Sequence, residues 1–246
     1  RRLTSSWKPS EAGMLTPLEP IPSIARPAAA RLVLSNGLTV TLEVTDDSRV
    51  FAAHVLVKGR AAAEPPGRNG CAELLHMLAG EGTRSHPGAS FQKALAGIGG
   101  MLKVTDDAQI PFDDIFLSSD YTYLRLEALD ELASSALDLL REVLSEPYLP
   151  AGDSEAAFIQ AKNRLSARAR AAMESPRESA RRLLAAALWG DSAAPAAPLF
   201  GLPDTIEAIR SEEIRAFHRR YFHPKNLVVG INTSIPLRQV LPLVER

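Results

Sequence analysis

The chain has 246 residues, of which 46% are hydrophobic and 23% charged, enough apolar content for one large domain or two small ones. A net charge of -1 and a pI near 6.6 exclude the basic footprint of a nucleic-acid binder. The single cysteine, Cys71, excludes an internal disulfide and any cysteine-rich zinc module, and reads as a small buried helix residue.

Residues 1–30 carry five prolines with no apolar period and read as an extended linker or strap. Arg1-Arg2 is not followed by the apolar run of a signal peptide, and no stretch approaches the length of a membrane span. The chain reads as soluble, with its compartment left open. Leu38, Val40, Leu42 and Val44 alternate with polar residues, giving a half-buried strand. The Asn36-Gly37 turn before it predicts a hairpin arm over 31–35. Val50 to Lys58 is apolar at nearly every position and reads as a central strand, with His54 a satisfied sheet-face residue.

Asn69 to Thr83 follows a Pro/Gly-rich turn and reads as one amphipathic helix closed by Gly80 and Gly82. Glu73, His76 and Met77 fall at i, i+3 and i+4 and so share one face. A zinc hydrolase needs such a face, with two ligands a turn apart and a carboxylate to activate water. Leu74, Leu75 and Leu78 make the same helix one that packs on a sheet, with Glu73 and His76 pairing at its polar edge. A short helix over 91–98 ends at Gly99-Gly100. Strands are predicted over 101–105 and 115–126, joined by an acidic loop whose four aspartates lack EF-hand spacing.

The remainder is mainly helical. Segments are predicted around 132–144, 154–173 and 177–189, then a Pro/Gly-rich loop, a short helix from Asp204 and another from Ser211 to Tyr221. His218 and His223, five apart, point to different faces and read as surface or capping residues. A last strand covers 226–233 and a closing helix 236–246. Strands grouped apart from a run of helices indicate an α+β fold, a mostly antiparallel sheet packed against a layer of helices.

The order of landmarks resembles the insulinase family, which includes pitrilysin and the mitochondrial processing peptidases. The landmarks are Asn36-Gly37-Leu38, the loop from Gly59 to Glu64, Gly70-x-Ala72, Gly82-Thr83, Gly201-x-Pro203-x-x-Ile206 and Phe217-x-x-x-Tyr221-x-x-Pro224-x-Asn226-Leu227. The resemblance covers about 31–234, with 1–30 as strap and 235–246 as closing helix or start of a linker to a second unit. It implies an inverted His-x-x-Glu-His zinc motif on the helix after Gly70-x-Ala72 and a glutamate ligand from a later helix. Aligned on those glycines, the motif positions hold Glu73, His76 and Met77, a degenerate set. The helix before Met173-Glu174-Ser175-Pro176 has no carboxylate between Ala156 and Met173, only cations.

These departures predict a non-catalytic unit with no catalytic, cofactor or metal residue of its own. The resemblance implies one wall of a zinc metallopeptidase chamber, with zinc in a catalytic partner or other half, and binding to extended peptides or to that partner. A piece of a longer protein is the corresponding expectation. Two alternatives stand beside it: an active zinc metalloendopeptidase with an unusual metal site, and a purely structural interaction module.

Overall fold

The computed structural model describes residues 28–46, 48–104 and 118–245. The chain opens with strands β1 (Ala28–Val33), β2 (Thr39–Val44) and β3 (Val50–Lys58), then a single turn α1 (Arg60–Ala63). Helices α2 (Cys71–Gly80) and α3 (Ala89–Gly97) lead to the hairpin strands β4 (Met101–Lys103) and β5 (Tyr121–Leu129). Next come α4 (Ala133–Ser145), α5 (Ala156–Glu174), α6 (Pro176–Trp189), α7 (Pro203–Glu207) and α8 (Ser211–Tyr221). Strand β6 (Leu227–Thr233) and helix α9 (Leu237–Glu245) complete it.

The sheet order is β1-β2-β6-β3-β5-β4, and every pair is antiparallel except β2 with β6. The expected α+β architecture is therefore present. β3 takes the central place its sequence predicts: Phe51, Ala53, Val55 and Val57 face the helices, while Ala52, His54 and Leu56 face the other way. The strand predicted over 115–126 is shifted. β5 runs from Tyr121 to Leu129, and both the acidic loop and the predicted strand's first three residues lie outside the described residues.

The family landmarks prove to be packing devices. Gly70 and Gly201 both have positive φ, and a Cβ on Gly201 would lie 2.3 Å from the Asn69 carbonyl oxygen. Only glycine permits that crossing. The Thr205 hydroxyl donates to the same carbonyl at 2.8 Å and Ile206 is fully buried beside Gly70. Phe217 and Tyr221 stack at 4.9 Å, and the Tyr221 hydroxyl shares a 2.7 Å hydrogen bond with Thr122 on β5. The Asn226 amide donates to the Tyr221 and Lys58 carbonyls, fixing the turn into β6.

Candidate functional site

Helix α2 begins at Gly70, which has no side chain to cap the free N–H groups. Glu64 replaces a cap from outside: its carboxylate accepts from the Gly70 and Ala72 amides, each at 3.0 Å. Burial pushes the Glu64 carboxyl up, opposed by the nearby Arg60 charge and those amides. Replacing Glu64 with Ala leaves two amides unsatisfied in a half-buried site. The expected cost is about 2 kcal/mol, read as a lower urea midpoint at unchanged slope, with Gln recovering part of it.

The helix itself is not amphipathic in the folded chain. Every residue from Cys71 to Ala79 is buried, because α2 lies between the sheet and helices α4, α5 and α8. The polar edge expected from the sequence is thus a buried one, and burial there requires a partner for each charge. Glu73 is 3% exposed and finds Arg168 of α5, whose Nη1 lies 3.2 Å from its Oε1. Arg168 also lies over the Phe200 ring, 5.8 Å from its centre. One turn back along α5, Arg164 pairs with Glu81 at 2.5 Å.

His76 does not pair with Glu73 as predicted. Its Nε2 lies 2.5 Å from the Val104 carbonyl oxygen, just after β4, so that nitrogen carries the proton and donates. The ring's Nδ1 is buried without a hydrogen-bond partner among the described residues. Burial lowers the His76 pKa from 6.5 to about 4; the Arg60 and Arg168 charges add to that, while the Val104 bond opposes it. The imidazole is therefore neutral at pH 7. Met77 is 8% exposed and belongs to the core. Cys71 is buried as expected, and that burial pushes its thiol up, away from nucleophilic character.

This donor set does not fit zinc. Glu73 brings the one carboxylate and is already bound to a guanidinium, His76 would bring at most its Nδ1, and Met77 offers a thioether suited to softer metals. A dication beside Glu73 would meet the Arg168 charge at close range. Among the described residues no group of three or more His, Cys, Asp or Glu converges to hold a metal ion.

The other histidines divide. The His54 Nδ1 is hydrogen-bonded to the Tyr123 hydroxyl, and the ring stacks on Tyr123, the sheet-face role expected of it. It borders a hollow of about 850 Å³ on the open face of the sheet. His218 is buried rather than at the surface: its Nε2 lies 3.0 Å from the Leu144 carbonyl in the last turn of α4. Its position on the inward stripe of α8, with Ile214, Phe217 and Tyr221, is the signal that a spacing argument alone passes over. His223 is exposed.

A sheet covered on one face by helices, with the buried helix α2 set against the long helix α5, is an α+β unit. Residues 39–197 match the family model described as Insulinase (Peptidase family M16), and the chain belongs to that family. It is 22% identical over 211 residues to an uncharacterized zinc protease of Streptomyces coelicolor, covering 86% of this chain and 42% of that protein. It is 23% identical over 205 residues to one of Bacillus subtilis, covering 83% and 46%. The chain thus spans less than half the length of these curated relatives.

The fold is similar to that of the M16 inactive domain from Pseudomonas fluorescens, with TM-score 0.74 at 17% identity over 89% of this chain and 49% of that one. It is also similar to a protease from Helicobacter pylori, with TM-score 0.71 at 20% identity over 90% and 50%. Pitrilysin gives TM-score 0.72 at 17% identity over 91% of this chain and 23% of that one. Among the described residues no helix is long and apolar enough to cross a membrane.

Proposed function

We propose that this chain is a non-catalytic insulinase-family unit that works as one wall of a peptidase chamber, beside a zinc-bearing unit that does the chemistry. The observation that carries this reading is the Glu73–Arg168 ion pair, which puts a cation on α5 where the resemblance calls for a carboxylate ligand. No catalytic role is assigned to Glu73, His76 or Met77. The names of the curated relatives, zinc proteases roughly twice as long, support a zinc metalloendopeptidase for the whole assembly.

The unit's contribution is to hold extended peptide. β4 is an edge strand, and the His76 bond to Val104 pins its end to the buried helix α2. An added strand would pair along this edge, and an edge held in this way costs little to order. The test is fluorescence anisotropy with labelled unstructured peptides of 10 to 20 residues, together with an assay for cleavage in added zinc. Binding in the micromolar range without cleavage is expected. Cleavage that depends on Glu73 or His76 would overturn the reading, and absence of binding would leave a structural module.

A further inference from the structure

Strand β6 carries a glycine that the surrounding fold does not ask for. Gly230 sits mid-strand, paired with Thr41 of β2 on one side and His54 of β3 on the other. It is not among the glycines with positive φ. A Cβ there would make ordinary contacts, 3.4 Å from the Thr41 hydroxyl oxygen and 3.8 Å from the His54 Cβ. Neither backbone strain nor crowding among the described residues requires glycine, which weakens a strand interior. A glycine of this kind marks a close approach from outside the sheet.

The face around it is shaped for one. Gly230, Ala52 and Ala29 line the hollow of about 850 Å³, and Val50 beside them is 40% exposed. Leu56 and Val228 continue the same face and are half-buried. The helices cover the opposite face of the sheet, where Val40, Val55 and Ile231 are buried.

The sequence brings an occupant to the rim of this hollow. β1 borders it through Ala29 and Arg31, and residues 1–27, which lie outside the described residues, lead directly into β1. They lack the apolar period of a helix or a strand, but Leu15, Leu18, Ile21 and Ile24 recur at every third position, among Pro17, Pro20, Pro22 and Pro27. Three residues per turn is the period of polyproline II, which puts such residues on one stripe. At about 3.1 Å per residue, the ten steps from Leu18 to Ala28 reach about 31 Å. Six strands about 4.8 Å apart make a sheet about 24 Å wide, so the segment is long enough to cross it. Ile21 and Ile24 would stand about 9 Å apart, close to the distance from β2 across β6 to β3. Attachment at Ala28 holds the segment at high local concentration, and its prolines lower the entropy lost on docking.

We propose that residues 15–27 cross the open face of the sheet as a polyproline II strap, seating Ile21 and Ile24 in the hollow over Gly230. This inference is independent of the non-catalytic reading.

The test is thiol labelling of the full chain with N-ethylmaleimide, followed site by site by mass spectrometry. Cys71 is buried and serves as a fold reference that stays unlabelled in every variant. Thr41 is exposed among the described residues, next to Gly230. Thr41→Cys should nevertheless react at least tenfold more slowly in the chain than when Ile21→Asp/Ile24→Asp are added. Lys93→Cys, at an exposed position of α3 away from the hollow, should react at one rate in both. Ile21→Leu/Ile24→Leu should keep the protection. Pro20→Gly/Pro22→Gly, which keeps the apolar stripe, should lose at least threefold of it. Equal labelling of Thr41→Cys with and without the aspartates overturns the proposal. Protection that survives the aspartates overturns it as well, and its growth with protein concentration would assign the hollow to a second copy. Full protection in Pro20→Gly/Pro22→Gly would overturn the polyproline II geometry.

Discussion

Lowering the pH from 7 to 4.5 is expected to remove about 2 kcal/mol of folding stability through His76 alone. The folded state holds this imidazole neutral, with its pKa lowered from 6.5 to about 4. The unfolded chain protonates it near 6.5. Below that pH the unfolded state binds more protons, so the stability present above pH 6.5 is lost as the pH falls towards 4. A gap of that size corresponds to about 3 kcal/mol when fully developed, with most of it spent by pH 4.5. The measurement is urea unfolding of the chain and of His76→Gln at half-unit pH steps. The variant, which keeps a donor for Val104 but no titrating ring, should give a flatter profile over this window. Parallel profiles would mean that His76 is solvated and that α2 is not the buried element described above.

The second large effect is at Arg168. Replacing it with Ala leaves Glu73, at 3% exposure, without the cation 3.2 Å away. Breaking a fully buried pair costs 3–5 kcal/mol in general, and because Arg168 is 39% exposed the expected loss is smaller, about 2 kcal/mol. Glu73→Gln removes the charge instead of its partner and should cost less. The double variant should be more stable than the sum of the two single effects predicts, by about 1 kcal/mol. Strict additivity in urea unfolding would show that the pair does not interact in solution.

Much of the fold was legible because its signals are local. The alternation over Leu38–Val44, the apolar run over Val50–Lys58 and the turn glycines dictate strands and their ends wherever they occur in space. The landmarks that identify the family have the same character: Gly70, Gly201, Phe217, Tyr221 and Asn226 are set by close approach, stacking and turn closure. They report architecture and are silent about chemistry.

The site was legible only in its composition. Glu73, His76 and Met77 visibly depart from the His-x-x-Glu-His pattern, and the lack of a carboxylate between Ala156 and Met173 is readable as well. Where these groups go is decided by long-range packing. The period of α2 predicts a polar edge, but covering by α4, α5 and α8 buries that edge and forces Glu73 onto Arg168 and His76 onto a backbone carbonyl. His218 escapes the sequence for the same reason: spacing to His223 says nothing about the α4 carbonyl it meets. The helical segment around 177–189 is legible in the sequence, yet only the fold shows that Leu183, Leu184 and Leu188 on it face outward.

The central claim, that this unit carries no metal centre, is tested most directly by elemental analysis of the purified chain after dialysis against trace zinc. An intact three-ligand site retains the metal through such treatment, so the account predicts less than about a tenth of an equivalent. Close to one equivalent, lost in Glu73→Ala or His76→Ala, would contradict it.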